Sequence, residues 1–238
     1  MTLGAVILLS VAGLFSGVLA GFLGIGGGTL LVPVLMQLNS LPIPIEFSPV
    51  QATATSSLAI LVTSSAGSLQ NWSMGYLRLD QILLLGTPAL VTAFLGTMVG
   101  DRIPPYLLLL GFALLLLSNL YLVSLKKTVV RKAQFRESRM AVGPAINPLT
   151  ARLITGSTAG FMAGLFGVGG GVILVPLQIL LLGEKIKSAV RTSLGVIVIT
   201  SVAACTGHAI NQNIHWIAGL ILGFGGLVGV QISTRYLP

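Results

Sequence analysis

Residues 17–38 read GVLAGFLGIGGGTLLVPVLMQL, and residues 160–181 read GFMAGLFGVGGGVILVPLQILL. The two stretches align without gaps at an offset of 143, with 11 of 22 positions identical. Gly17, Gly21, Gly24, Gly26, Gly27, Gly28 and Pro33 fall on Gly160, Gly164, Gly167, Gly169, Gly170, Gly171 and Pro176. Downstream, Gly86, Gly96 and Arg102 match Gly219, Gly229 and Arg235 at an offset of 133, and Ser56-Ser57-Leu58 resembles Thr192-Ser193-Leu194. The chain is one unit written twice. Each half runs from a glycine-rich segment (3–38, 151–182) through a Ser/Thr-rich span (50–70, 189–210) to a third span (79–100, 214–234). The first half adds a span at 104–125 that the second half lacks. The expected organisation is a repeat at 1–125, a basic linker at 126–149 and a second repeat at 150–238 without the closing helix.

Working outward, the 238 residues are 54% hydrophobic and only 8% charged. A soluble domain carries about 25% charged residues, so this chain cannot clothe a globule in water. Its apolar runs approach the roughly 20 residues that cross a bilayer as a helix. Aromatic residues are 6% and no period-2 alternation appears, which argues against a transmembrane barrel. The fold class is therefore an all-α polytopic membrane protein. The single cysteine, Cys205, and the two histidines, His208 and His215, offer neither a disulfide nor a metal-ligand cluster. No cofactor or metal is expected. The apolar N-terminus, without a basic leader, reads as a retained span.

The net charge of +8 is concentrated. Lys126, Lys127, Arg131, Lys132, Arg136, Arg139 and Arg152 share one stretch with a single acid, Glu137. Basic residues beside apolar spans stay on the cytoplasmic side; without aromatic interleaving they give no reason to expect nucleic acid. With 126–149 inside, loops 71–78 and 183–191 fall inside, and 39–49 and 101–105 outside. Each glycine-rich segment then enters and returns on one side, from opposite faces in the two halves, an inverted repeat in the inner (cytoplasmic) membrane.

The run Gly24-Ile25-Gly26-Gly27-Gly28 fails as a dinucleotide fingerprint, because Thr29 stands where G-x-G-x-x-G needs its last glycine; Val172 fails likewise in the second copy. None of the five lysines follows a glycine, so there is no Walker A motif. Two readings remain. Gly13, Gly17 and Gly21, with Gly156, Gly160 and Gly164, form small-residue rows that let helices approach closely. Alternatively the triglycines break a helix, since each glycine costs about 1 kcal/mol relative to alanine. Paired broken helices mark the substrate site in many transporters, and a helix restarting after Gly28 or Gly171 offers N–H groups and a positive dipole end to an anion.

The duplicated G-x-G-G-G segment followed by L-V-P, with the A-T-x-S-S-L and R-T-S-L stretches, resembles the TauE/SafE family, also called the TSUP permeases. The resemblance covers roughly 10–123 and 153–236. It implies a bacterial or archaeal inner-membrane permease for sulfite, sulfonates or related sulfur-containing anions, driven by the proton gradient. The family's closing helix in the second half is missing here; either that helix is dispensable, or a partner subunit, such as a second copy, covers the exposed face.

The residues expected to bind the anion are Gly26, Gly27, Gly28, Thr29, Gly169, Gly170 and Gly171, with Thr55, Ser56, Ser57, Thr192 and Ser193. Their hydroxyls and backbone N–H groups bind without a fixed charge; the bland alternative is back-bonding to their own helices. Arg191, His208 and Gln51 are the candidates for gating or coupling. Arg191 reads either as snorkelling to the surface or as a lure for anions, and His208 as a proton relay. Asn71 reads as loop-solvated and Cys205 as packing. No acid lies mid-span, which disfavours cation transport, and no acid–base pair or activated nucleophile suggests an enzyme. The leading function is a proton-coupled anion transporter. The alternatives are a channel-like permease for small anions or neutral solutes, and a membrane subunit of a larger complex.

Overall fold

In the computed structural model, which describes residues 3–39, 46–118 and 147–236, the described chain is helical and has no strand. The first half holds α1 (Leu3–Leu23), α2 (Gly28–Leu38), α3 (Pro49–Ser73), α4 (Leu79–Gly100) and α5 (Pro105–Ser118). The second holds α6 (Pro148–Phe166), α7 (Gly171–Leu182), α8 (Ile186–Ile210) and α9 (Trp216–Arg235). Helices α1, α4, α8 and α9 are long and apolar enough to cross a membrane, with window mean hydropathies of 1.7 to 2.4. The linker assigned to 126–149 lies, up to residue 146, outside the described residues.

The chain breaks where the triglycines stand. Gly24, Gly26 and Gly27 take φ of 65°, 77° and 80°, and Gly167, Gly169 and Gly170 take 61°, 73° and 78°. This left-handed backbone favours glycine, which has no Cβ to clash. At 1.5 Å per residue, α1 is about 31 Å long and α2 about 16 Å. Each glycine-rich segment is therefore a long helix followed by a half-length one, with Pro33 and Pro176 inside α2 and α7.

The small-residue rows hold too, between halves. Gly13, Gly17 and Gly21 of α1 meet Leu222, Gly226 and Ser233 of α9, while Gly225 and Gly229 meet Ser10 and Leu14 in return. The other seam copies this: Gly156, Gly160 and Gly164 of α6 meet the backbone of Leu85, Ala89 and Ala93 on α4. The first helix of each half thus packs on the last matched helix of the other. Breaking and close packing are two properties of one segment: the rows sit on α1 and α6, and the breaks follow them.

Exchanging the halves leaves the pattern unchanged. α1 pairs with α9 as α6 with α4, and α3 with α9 as α8 with α4, while α3 and α8 pair with each other. Contact order shows direction: Leu58, Val62 and Thr63 of α3 meet Gly219, Gly223 and Gly226 of α9 in step, so these run parallel. α3 and α8 run antiparallel, because Arg191 near the start of α8 lies over Tyr76 just past α3, and Thr55 near the start of α3 bonds His215 just past α8. One end of the bundle gathers the 74–78 turn, the start of α8 and Arg152 of α6. The other gathers Phe47, Asp101 and the 211–215 turn. These are the loop groupings the charges imply.

Helix α5 has no counterpart among the described residues. It covers Leu165 and Phe166, with Phe112 edge-on to Phe166 at 6.1 Å. The equivalents Phe22 and Leu23 stay 41% and 49% exposed.

A leucine at Gly17 or Gly164 runs into the backbone of Gly226 or Ala93. Each is expected to lower stability by about 1–3 kcal/mol, the usual range for overpacking. Gly4→Leu, where a side chain meets nothing within 4 Å, leaves it unchanged. Thermal unfolding in detergent measures all three.

Candidate substrate site

Ile60 and Ile197 are each the twelfth residue of a 25-residue helix, and both are fully buried. At this crossing of α3 and α8 the two glycine breaks touch. Gly28 packs on Ile60, Val168 and the Gly167 carbonyl; Gly171 packs on Ile197, Ile25 and the Gly24 carbonyl. Gly26 and Gly169 both face Ile60 and Ile197. Four of the predicted binding residues, Gly26, Gly28, Gly169 and Gly171, therefore meet at this buried crossing, while Gly27 and Gly170, also buried, face Ser16 of α1 and Ala159 of α6.

Breaking a helix orphans carbonyl groups, and hydroxyls answer them. Ser56 Oγ lies 2.8 Å from the Gly167 carbonyl oxygen, and Ser193 Oγ 2.8 Å from that of Gly24. Each hydroxyl also reaches a carbonyl of its own helix, Thr53 or Val190, and shares its proton between the two. Ser16 donates to the Gly27 carbonyl at 3.0 Å and Thr200 to that of Gly169 at 3.1 Å. These bonds correct the register of the repeat: Ser56 answers Ser193, at an offset of 137, and the tripeptide match of Ser56 to Thr192 is one residue out. The Ser-Ser pair makes that slip invisible in the sequence. Ser16 escaped notice because it sits among the small residues of α1.

The other hydroxyls lie elsewhere. Thr55 Oγ1 accepts from the His215 N–H at 3.2 Å, and its equivalent Thr192 reaches Gln81 Oε1 at 3.4 Å. They tie the long central helices to the starts of α9 and α4. Ser57 donates to its own helix at Thr53, 2.9 Å away, and Thr29 is half-buried at the start of α2. No side chain caps the start of α2 or of α7.

The three gating candidates separate. Gln51 completes a capping box with Ser48 at the start of α3; the box accounts for its position. His208 is 1% exposed, and neither ring nitrogen has a hydrogen-bond partner; its Nδ1 stands 3.8 Å from Asp101 Oδ1, ion-pair rather than hydrogen-bond distance. Arg191, half-buried near the start of α8, pairs with no carboxylate among the described residues, and its guanidinium lies 3.7 Å over the Tyr76 ring. Asn71, expected in solvent, is 1% exposed. Its place beside Trp72 at a span end suggests a loop, but the face it occupies turns inward.

Asp101 sits in the turn beyond α4. Burial pushes its carboxyl up, but His208 and the amide N–H groups of Asn211 and Asn213 outweigh this and hold it below the usual carboxylate value. Its stabilising contribution is therefore complete above the ordinary carboxylate range and is lost as pH falls through the lowered value. Thermal midpoints from pH 7 to 3 should show this acid loss, reduced in Asp101→Asn.

Ser56→Ala and Ser193→Ala leave equivalent buried carbonyls with one donor fewer. Each is expected to cost about 1–3 kcal/mol, the two values matching within error, whereas Ser57→Ala costs less than either. Chemical denaturation in detergent compares them.

Comparison with known proteins fits this architecture. The family described as sulfite exporter TauE/SafE matches residues 9–238. The probable membrane transporter protein YunE of Bacillus subtilis is 28% identical over 96% of this chain and 89% of its own length. The probable membrane transporter protein MJ0441 of Methanocaldococcus jannaschii is 28% identical over 84% of this chain and 71% of its own. A second Bacillus subtilis protein, the probable membrane transporter protein YdhB, is 24% identical over 92% and 85%. No solved structure matches. A match across nearly the whole chain, to relatives named as transporters, makes this multi-pass protein a member of the TauE/SafE family of membrane transporters.

Proposed function

We propose that the protein is a secondary transporter that moves sulfur-containing anions, such as sulfite or sulfonates, across the cytoplasmic membrane with the proton gradient. The observation that carries this reading is the meeting of the two glycine breaks at the midpoint of α3 and α8. Two uncapped helix starts lie there, in the first and second halves, and their dipoles favour negative charge. The family's description supplies the substrate class.

The repeat supports alternating access. A twofold that exchanges two antiparallel helices must lie perpendicular to them. With α3 and α8 across the bilayer, that axis lies in the membrane plane, and the halves are inverted. A conformation open to one side then has a counterpart open to the other. By the positive-inside rule, the basic linker supports a cytoplasmic Arg191–Tyr76 end. A second copy covering Phe22 and Leu23 belongs to the same proposal, and molecular mass in detergent tests it.

Uptake of labelled sulfite, thiosulfate and a small sulfonate into proteoliposomes, with and without a pH gradient, tests the function. Uphill accumulation that a protonophore abolishes is the expected result, reduced at least tenfold in Gly27→Leu and Gly170→Leu. Flux that only runs downhill would make the protein a channel. Absence of flux from folded protein would overturn the reading.

A further inference from the structure

Asn71 and Arg191 both contact Tyr76 at one end of the bundle, Asn71 through its main chain and Arg191 through its side chain. The Tyr76 N–H donates to the Asn71 carbonyl at 3.0 Å, and the same residue's ring lies under the Arg191 guanidinium. Asn71 Nδ2 is buried and has no acceptor; Arg191 Nε is buried and has none either. The nearby carboxylates are committed elsewhere. Glu184 accepts from Gln81 and Ser188, and Asp80 faces Arg78 at 3.5 Å.

Both orphaned groups are donors only: the amide nitrogen accepts nothing and a guanidinium has no acceptor atom. A cation stacked on an aromatic face is held in plane by the ring, which leaves its N–H edge for a planar fork of oxygens. An oxyanion supplies the acceptors that both kinds of donor need. The cluster is joined to the centre through α8, where the backbone of Val190 packs on Gly24 and Ser193 bonds its carbonyl. Asn71 stands eleven residues beyond Ile60, about 16 Å along α3, which is the edge of a hydrocarbon core about 30 Å thick.

We propose that Asn71 and Arg191, positioned by Tyr76, form an oxyanion-binding site at the linker-side mouth of the transport path. The site takes a tetrahedral or pyramidal oxyanion, the chemistry shared by sulfite, a sulfonate group and a lipid phosphate. It has no twin at the other mouth. The repeat places His208 where Asn71 stands and Ala54 where Arg191 stands, and Asp101 beside His208 repels anions. The proposal rests on the anion-transport reading only for the identity of the solute.

The test is calorimetric titration of the purified protein in uncharged detergent, with sodium sulfite in one arm and phosphatidylglycerol in the other. Arg191→Gln is expected to weaken sulfite binding at least about tenfold, and Asn71→Ala severalfold. Arg191→Lys, which keeps the charge without the fork, loses less. Thermal unfolding separates loss of binding from loss of fold, and Arg191→Lys carries the comparison if Arg191→Gln fails to fold. An effect confined to phosphatidylglycerol supports the oxyanion site with a lipid as its source. Wild-type affinity in both Arg191→Gln and Asn71→Ala, or no binding of either anion to the wild type, overturns the site. Flux through wild-type proteoliposomes, measured alongside, reports on the transporter reading independently.

Discussion

Irregular backbone at membrane depth survives only when its polar groups are satisfied inside the protein, and the rest of this structure follows from that constraint. The two glycine breaks present the carbonyls of Gly24, Gly27, Gly167 and Gly169 to hydroxyls, that of Gly27 while it also accepts the Leu30 and Leu31 N–H groups at the start of α2. Ser193, Ser16, Ser56 and Thr200 answer them in that order. The two bonds at the centre run between halves: a hydroxyl from one repeat satisfies the break in the other. Neither half can complete its own break. That exchange accounts for the Ser/Thr richness of α3 and α8 and for their burial without interruption over Ala52–Ile60 and Thr192–Ile197.

The same exchange shapes the outer seams. α1 must lie along α9, and α6 along α4, for the breaks to reach across, and glycine-on-backbone contact makes both seams shallow. Such seams hold by van der Waals packing over many small contacts, without long interlocking side chains. A helix pair joined this way slides at little cost, whereas the two hydroxyl bonds that cross between the halves resist separation. Movement in a transporter of this design is therefore easier at the periphery than at the crossing of α3 and α8.

Much of this was legible in the sequence, because glycine and charge act locally. Three glycines in a row break a helix whatever surrounds them, and Lys185, Lys187 and Arg191 sort their loop to one side without reference to distant residues. What stayed hidden was pairing over distance. Nothing near Arg191 announces Tyr76, and nothing near His208 announces Asp101. The Ser56–Ser193 register was obscured by the adjacent Ser57, since one serine reads like the next until a carbonyl chooses between them. Asn71 shows a related limit: its polarity and place at a span end describe a loop, and only its burial in the fold shows that it is inside.

The repeat also separates what the duplication had to keep from what it could change. At the centre the equivalents are alike: Ser56 and Ser193, Ile60 and Ile197, and the four glycines around them. Fifteen residues further along, equivalence of place meets difference of chemistry, with Asn71 at one end and His208 at the other. A shared centre is built from both halves at once, so its equivalents stay alike, whereas the two ends of the bundle carry no such demand. Under the proposed anion-transport reading, an uncompensated guanidinium at one end and a histidine–carboxylate pair at the other are therefore where direction can be written into an otherwise symmetric path.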